Sequence, residues 1–267
     1  MSISTYTSYK DKIKENLTLP LYKTLSSSAF FATHWTSSPN AGAAPTTAVI
    51  CDNTTTGALN KESSIGLSSY DWRFNGMTQQ NSTSAQLILY DRLCHQGGLS
   101  TTTSATQTTN LPTAALTRYT NGNNVFAAIE FYTTNSGGVS TTATISYTNQ
   151  NGTSGRTSKP VVFGNMFAGR LLLMPLEDGD TGVRSVESVT IADDTTVSSN
   201  IGITLLRFLG MPFPTELYDG MYGADFYNAI IGGGCHFEPI LPGACLQILN
   251  NGKGAYSPNM SLHFMSV

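Results

Sequence analysis

Charge is what this sequence has least of. Of its 267 residues only 12% are Asp, Glu, Lys or Arg, against roughly 25% in an ordinary soluble domain. Lys and Arg number 14 and the acids 17, giving a formal net charge of −3 and a sequence pI of about 5.7. Without a basic stripe to follow a phosphate backbone, no direct nucleic-acid partner is expected. Apolar runs are short too. None approaches the roughly 18 residues of a membrane-spanning helix, so no membrane partner is expected. The opening residues Met1 to Thr5 lack the charged-then-apolar pattern of a signal peptide, and synthesis in the cytoplasm is expected. Cysteine is scarce: Cys51, Cys94, Cys235 and Cys245 form no CxxC pair and read as small buried hydrophobes rather than as a disulfide framework. A GxSxG elbow and a Walker A loop are both missing.

Ser, Thr, Asn and Gly stand where charge is missing. These residues make neutral hydrogen bonds and avoid the desolvation cost of burying ions. Interface centres are likewise depleted in Lys, Glu and Asp. Short β-type runs dominate after the turn-rich stretch 38–46: residues 47–51, 70–74, 85–93, 125–132, 141–148, 170–174, 183–191, 201–208, 244–249 and 261–267. Residues 183–191 are rich in β-branched side chains, and 201–205 alternate at period two, the mark of a half-buried strand. Asn121-Gly122, Ser136-Gly137-Gly138, Asn151-Gly152 and Asp178-Gly179-Asp180 punctuate the runs with turn residues that tolerate positive φ. Residues 76–84 and 100–109 are polar and read as exposed loops.

Many short strands with regular turns predict a mainly β fold, a β-sandwich of jelly-roll or other Greek-key type. One or two short helices are expected, over 6–18 ended by Pro20 and over 220–231. Residues 1–40 read as an N-terminal arm and 41–267 as the sandwich domain.

Candidate chemistry is thin. Of the four histidines, His95 and His236 follow Cys94 and Cys235, while His34 and His263 stand apart. Zinc takes Cys and His ligands, but neighbours on a strand point to opposite faces, so Cys inward and His outward is the reading. Gly234-Cys235-His236 is too local to supply a nucleophile and its base, which normally converge from separate segments. The acidic turn Glu177 to Asp180 reads as a β-turn rather than a calcium loop, since it lacks the length and terminal Glu of an EF-hand. No catalytic residue, metal or cofactor is assigned, and the chain is read as non-enzymatic.

The most distinctive segments are Leu89 to Ser100 (LYDRLCHQGGLS), Thr108 to Pro112, Leu116 to Tyr119, Ser146 to Gly152 with Gly155-Arg156-Thr157, and Met174 to Arg184 (MPLEDGDTGVR). Together they resemble a family of virion structural proteins of tailed bacteriophages, over roughly residues 85–210. The resemblance implies a head accessory role, cement or decoration bound over the capsid lattice. Its partners would be the major capsid protein and copies of itself, with a trimer one arrangement, and its location the virion. Contacts are expected in the arm, through Lys10, Lys12 and Lys14, and in loops 95–112 and 210–222, through Met211, Phe213 and Tyr218. A tail, neck or baseplate component is the alternative within this class. A carbohydrate-binding adhesion module using Trp35, Trp72 and tyrosines is the alternative outside it.

Overall fold

The computed structural model describes residues 31–37, 40–61, 85–210 and 238–252, with the strands 17–21, 72–80, 220–223 and 259–266; side chains are described over 31–37, 40–61, 88–210 and 238–250. The strands are β1 (Leu17–Leu21), β2 (Ala32–Thr33), β3 (Val49–Ile50), β4 (Trp72–Gln80), β5 (Ala85–Ser100), β6 (Gln107–Thr108), β7 (Phe126–Phe131), β8 (Thr141–Asn149), β9 (Arg156–Thr157), β10 (Val161–Phe163), β11 (Leu171–Leu173), β12 (Val183–Ile191), β13 (Asn200–Gly210), β14 (Gly220–Gly223), β15 (Leu246–Gly252) and β16 (Asn259–Ser266). A single 3-10 turn, Leu111–Thr113, is the helical element among the described residues.

These strands form three antiparallel sheets. A seven-stranded sheet runs β11-β7-β13-β5-β15-β2, with β3 also on β5. A five-stranded sheet runs β10-β8-β12-β6, with β9 also on β8, and a four-stranded sheet runs β1-β16-β4-β14. From β5 to β13 the chain passes back and forth between the first two sheets, as it does in the winding of a jelly roll. The mainly β, sandwich-type architecture expected from the sequence is what the chain adopts.

The core lies between the seven- and five-stranded sheets. β8 alternates strictly, with Ala143, Ile145 and Tyr147 buried and Thr142, Thr144, Ser146 and Thr148 half-exposed. The inward residues meet Ala127, Ile129 and Phe131 of β7 and Ile201, Ile203 and Leu205 of β13 in one cluster. Phe131 and Phe163 close one end of it, ring centroids 5.6 Å apart. Full burial of such a side chain contributes about 1.5–3 kcal/mol. Strand β13 is buried along nearly its whole length, because its other face is covered as well. On that face Leu206 packs with Ile88, Tyr90, Ala128, Leu171 and Leu249, and Trp35, Cys51, Ala58, Tyr132 and Cys245 form a further cluster.

Strand β5 carries two local irregularities that decide which way its side chains point. Opposite β13, Leu205 faces Cys94 and Leu206 faces Arg92, so Leu93 is the extra residue of a bulge. Leu93 and Cys94 then both enter the inter-sheet core. Further on, Ile201 faces Leu99 and Ile203 faces Gln96, with Gly97 and Gly98 opposite Gly202. Gly98 sits at φ +80, and a Cβ on Gly202 would come within 1.8 Å of the Gln96 carbonyl oxygen. Only glycine fits this close backbone approach.

Several boundaries moved. β5 continues to Ser100, so the expected loop at 95–112 begins as strand. Gly76 to Gln80, read as loop, belong to β4. Leu17 and Thr18, read as the end of a helix, lie in β1, where pairing with β16 overrides local helical preference. Pro20 is tolerated there because β1 is an edge strand, where a missing amide need not break a ladder. The helix expected over 220–231 opens as strand β14, and its remainder lies outside the described residues. Of the expected arm, residues 17–21 and 32–33 are paired in sheets.

Candidate functional site

The distinctive motifs meet one another in space as buried polar clamps. Asp91 of β5 receives Arg118 bidentately, Nε to Oδ2 and Nη2 to Oδ1, both at 2.8 Å. The same Asp91 Oδ1 accepts the backbone N–H of Cys245 at 2.8 Å, and Arg118 Nη2 also donates to the Cys51 carbonyl at 2.8 Å. One ion pair thus ties β5 to three remote stretches. Burial pushes the Asp91 carboxyl up, and the Arg118 and Cys245 hydrogen bonds act against that.

One residue along, Arg92 forms the second clamp. Its Nη2 lies 2.5 Å from Glu130 Oε2 of β7, with both side chains at 0% exposure. It also donates to the Tyr132 hydroxyl at 3.1 Å and to His95 Nδ1 at 2.8 Å. Thr204, on the strand between β7 and β5, donates to the same Glu130 oxygen. Trp35 lies over the guanidinium, 4.1 Å from its ring centroid, and its Nε1 donates to the Ala43 carbonyl at 2.8 Å. Burial works against the Arg92 charge, but Glu130, together with Tyr132, Tyr90 and Cys51, outweighs burial and holds the guanidinium above its ordinary pKa.

A guanidinium only donates, so His95 Nδ1 accepts, and the proton of this neutral ring sits on Nε2. Burial, then the Arg92 charge, pushes the His95 pKa down to about 2. The expectation of His95 facing outward needs correcting in one respect. It does lie on the face opposite Cys94, but Trp35 and Tyr132 cover that face, and His95 is buried.

Asp180 organises the third clamp at the end of the sandwich. It accepts from Tyr147 Oη at 2.6 Å, Asn149 Nδ2 at 2.7 Å and Arg156 Nε at 3.0 Å. Burial raises its pKa, but these three donors, Tyr147 first, outweigh burial and hold the carboxyl below its ordinary value. Glu177 pairs with Arg156 at 3.1 Å and Asp178 with Lys159 at 2.5 Å. The acidic turn is therefore spoken for by cations and hydroxyls of the chain itself. It borders an open cleft of about 410 Å³ over Phe126, Leu173, Met174 and Leu176. Among the described residues, no cluster of three or more His, Cys, Asp and Glu is placed to hold a metal.

The surface with a coherent chemistry is the outer face of the five-stranded sheet. Register aligns hydroxyl side chains across it. Ser188 lies opposite Thr108 on one side and Ser146 on the other, and Ser146 lies opposite Thr157. One step along, Thr190 is opposite Thr144, and its hydroxyl is 3.1 Å from that of Thr106. The carboxylate within this field, Glu187, accepts from Thr148 at 2.5 Å and Ser185 at 3.1 Å. At the strand β10 edge, Val162 stands 67% exposed opposite Thr142. Strands of an antiparallel sheet with one solvated face alternate apolar residues inward and polar ones outward; here the outward polar positions are mostly hydroxyls.

Lys10, Lys12, Lys14, Met211, Phe213 and Tyr218 lie outside the described residues, and so do Cys235 and His236. Trp72 and His263 lie in strands whose side chains are not described. Trp35, a candidate sugar platform, is 1% exposed and offers no stacking face. Sequence reasoning missed the hydroxyl field because it requires register: Thr and Ser are spread over four strands, and only the pairing places them side by side. No known protein family, characterised protein or solved structure matches this chain.

Proposed function

We propose that this chain is a non-enzymatic virion structural protein, a cement or decoration protein that bridges and stabilises major capsid subunits of a tailed bacteriophage. The observation that carries the reading is the hydroxyl-covered outer face of the five-stranded sheet. Each Thr or Ser there can donate or accept, so it can pair with whatever backbone or side chain a partner presents. Covering them strips no ions of water, so area can be buried without the penalty that opposes a charged face. The carboxylate within the field, Glu187, accepts two hydrogen bonds at its Oε1.

The rest of the molecule suits a load-bearing role. The motifs behind the resemblance to phage virion proteins supply the Asp91–Arg118 and Asp180 clamps, which fix the sandwich as a stiff body. Their span, roughly 85–210, coincides with strands β5 to β13. A stiff body that spans two subunits resists their separation, and many copies on a lattice add their effects through effective concentration.

The test is binding of the purified chain to capsids stripped of it. The substitutions Thr144→Arg and Ser146→Arg together place two charges in the middle of the face. Occupancy should drop at least tenfold while far-ultraviolet circular dichroism is unchanged. Undiminished occupancy removes this face as the contact, and failure of the unaltered chain to bind any capsid removes the cement role.

A further inference from the structure

Cys51, Cys94 and Cys245 are all buried free thiols. Cys94 points into the inter-sheet core. Cys51 and Cys245 instead meet on the opposite side, although they are 194 positions apart in sequence. The pairing of β5 brings them together. β3 and β15 lie on the same edge of β5, with Ile50 opposite Cys94 and Leu246 opposite Asp91. Cys51 N–H donates to the Leu93 carbonyl and Arg92 N–H donates to the Cys245 carbonyl, each at 2.9 Å. The two cysteines therefore face consecutive residues of one strand. Their main chains are held there by the same ion pair, Cys245 N–H on Asp91 and Arg118 on the Cys51 carbonyl. Both side chains pack in one buried cluster with Trp35, Ala58 and Tyr132, and the Cys51 thiol donates to the Val49 carbonyl at 3.8 Å.

We propose that Cys51 and Cys245 form a dithiol built to close into a disulfide, a two-electron modification site for a small peroxide. The inference stands on the pairing geometry and does not depend on the proposed function. Two cysteines of one buried cluster, their main chains fixed side by side by flanking backbone bonds, need little movement to bond. The site is also asymmetric. Burial opposes ionisation of Cys51, but the hydrogen bond from Cys245 and the Arg92 charge outweigh it and hold its pKa below the ordinary thiol value. Burial, with its bond to Cys51, pushes Cys245 up. Cys51 is thus the attacking sulfur and Cys245 the resolving one.

The Cys51 thiolate attacks one oxygen of hydrogen peroxide, the O–O bond breaks, and the hydroxide released takes a proton to become water. The Cys245 sulfur, giving up its proton, then attacks the Cys51 sulfenic sulfur; the S–O bond breaks and a second water leaves. Two thiols are oxidised by two electrons in all, and one peroxide is reduced to two waters. The bond would join the segment covering the outer face of the seven-stranded sheet to strand β15.

The full-length protein is treated with hydrogen peroxide, denatured, alkylated with N-ethylmaleimide and analysed by intact mass and peptide mapping. The expected product has two thiols fewer to alkylate, a mass lowered by about 2 Da before alkylation, and a peptide linking Cys51 to Cys245. Dithiothreitol should reverse all three changes. The oxidised protein should also unfold at higher urea concentration than the reduced one, a difference that Cys51→Ser abolishes. The proposal is overturned if the linked peptide involves Cys94 or Cys235. It is equally overturned if oxygen accumulates on Cys51 without a link, or if both thiols survive while a free-thiol peptide in the same tube is consumed.

Discussion

Replacing Glu130 by leucine removes one charge from the middle of the molecule and leaves its partner behind. Arg92 and Glu130 are both fully buried, 2.5 Å apart, so the guanidinium in Glu130→Leu keeps its burial penalty and loses its counter-charge. Breaking such a pair costs about 3–5 kcal/mol. Thr204 loses its acceptor at the same time, which places the effect toward the upper end. For a chain of this size 1 kcal/mol corresponds to about 2 °C in melting temperature, so a fall of about 6–10 °C is expected. The double variant Arg92→Met/Glu130→Leu is the informative control. It removes both ions, and its cost is the lost contact with Trp35, the lost hydrogen bonds to Tyr132 and His95, and the lost acceptor of Thr204. It should therefore melt above Glu130→Leu. Melting followed by circular dichroism, backed by urea titration, measures both. A single variant within about 2 °C of the parent, or a double variant below the single by the full cost of Arg92→Met, would refute the reasoning.

Other expectations follow from the same structure. His95 is held neutral, with its pKa near 2 against an ordinary 6.5. The unfolded chain therefore binds a proton below pH 6.5 that the folded chain does not. Stability attributable to this group is complete above pH 6.5 and falls by about 1.4 kcal/mol per pH unit below it; His95→Asn should flatten the slope between pH 6.5 and 5 in paired urea titrations. Phe131→Ala, which empties the inter-sheet contact with Phe163, should cost about 3–5 kcal/mol by the same assay. Asp180→Ala should cost about 1–3 kcal/mol by stranding Tyr147 and Asn149. Because its carboxyl pKa is lowered, the parent's advantage over this variant should be full at neutral pH and shrink as pH falls below 4. Since the acidic turn is already paired, calcium and a chelator should leave the parent's melting temperature unchanged.

How much of this was legible in the sequence depended on whether local pattern or long-range pairing decided the outcome. The runs 141–148 and 183–191 were expected as strands and are β8 and β12, and the expected turns at Asn121-Gly122 and Asn151-Gly152 carry the positive φ values anticipated for Gly122 and Gly152. β5 was legible only in its first half. Beyond Leu93 its pattern breaks, because one bulge turns Cys94 inward and another spends Gly97 and Gly98 on a close backbone approach. The polar letters of LYDRLCHQ looked like surface or chemistry, yet Asp91, Arg92 and His95 are buried because Arg118, Glu130 and Tyr132 arrive from elsewhere to satisfy them. β1, with its proline, was invisible because its strand character comes from β16. The hydroxyl face could not be seen at all without register.

The cement reading is tested most directly by a cryo-electron density map of purified particles, with this chain located by its bulky side chains. The account predicts density on the outer capsid shell, bridging major capsid subunits, with Thr144, Ser146, Ser188 and Thr190 turned toward a neighbour. Density confined to the tail or a fibre, absence from the particle, or a hydroxyl face turned wholly to solvent would contradict it.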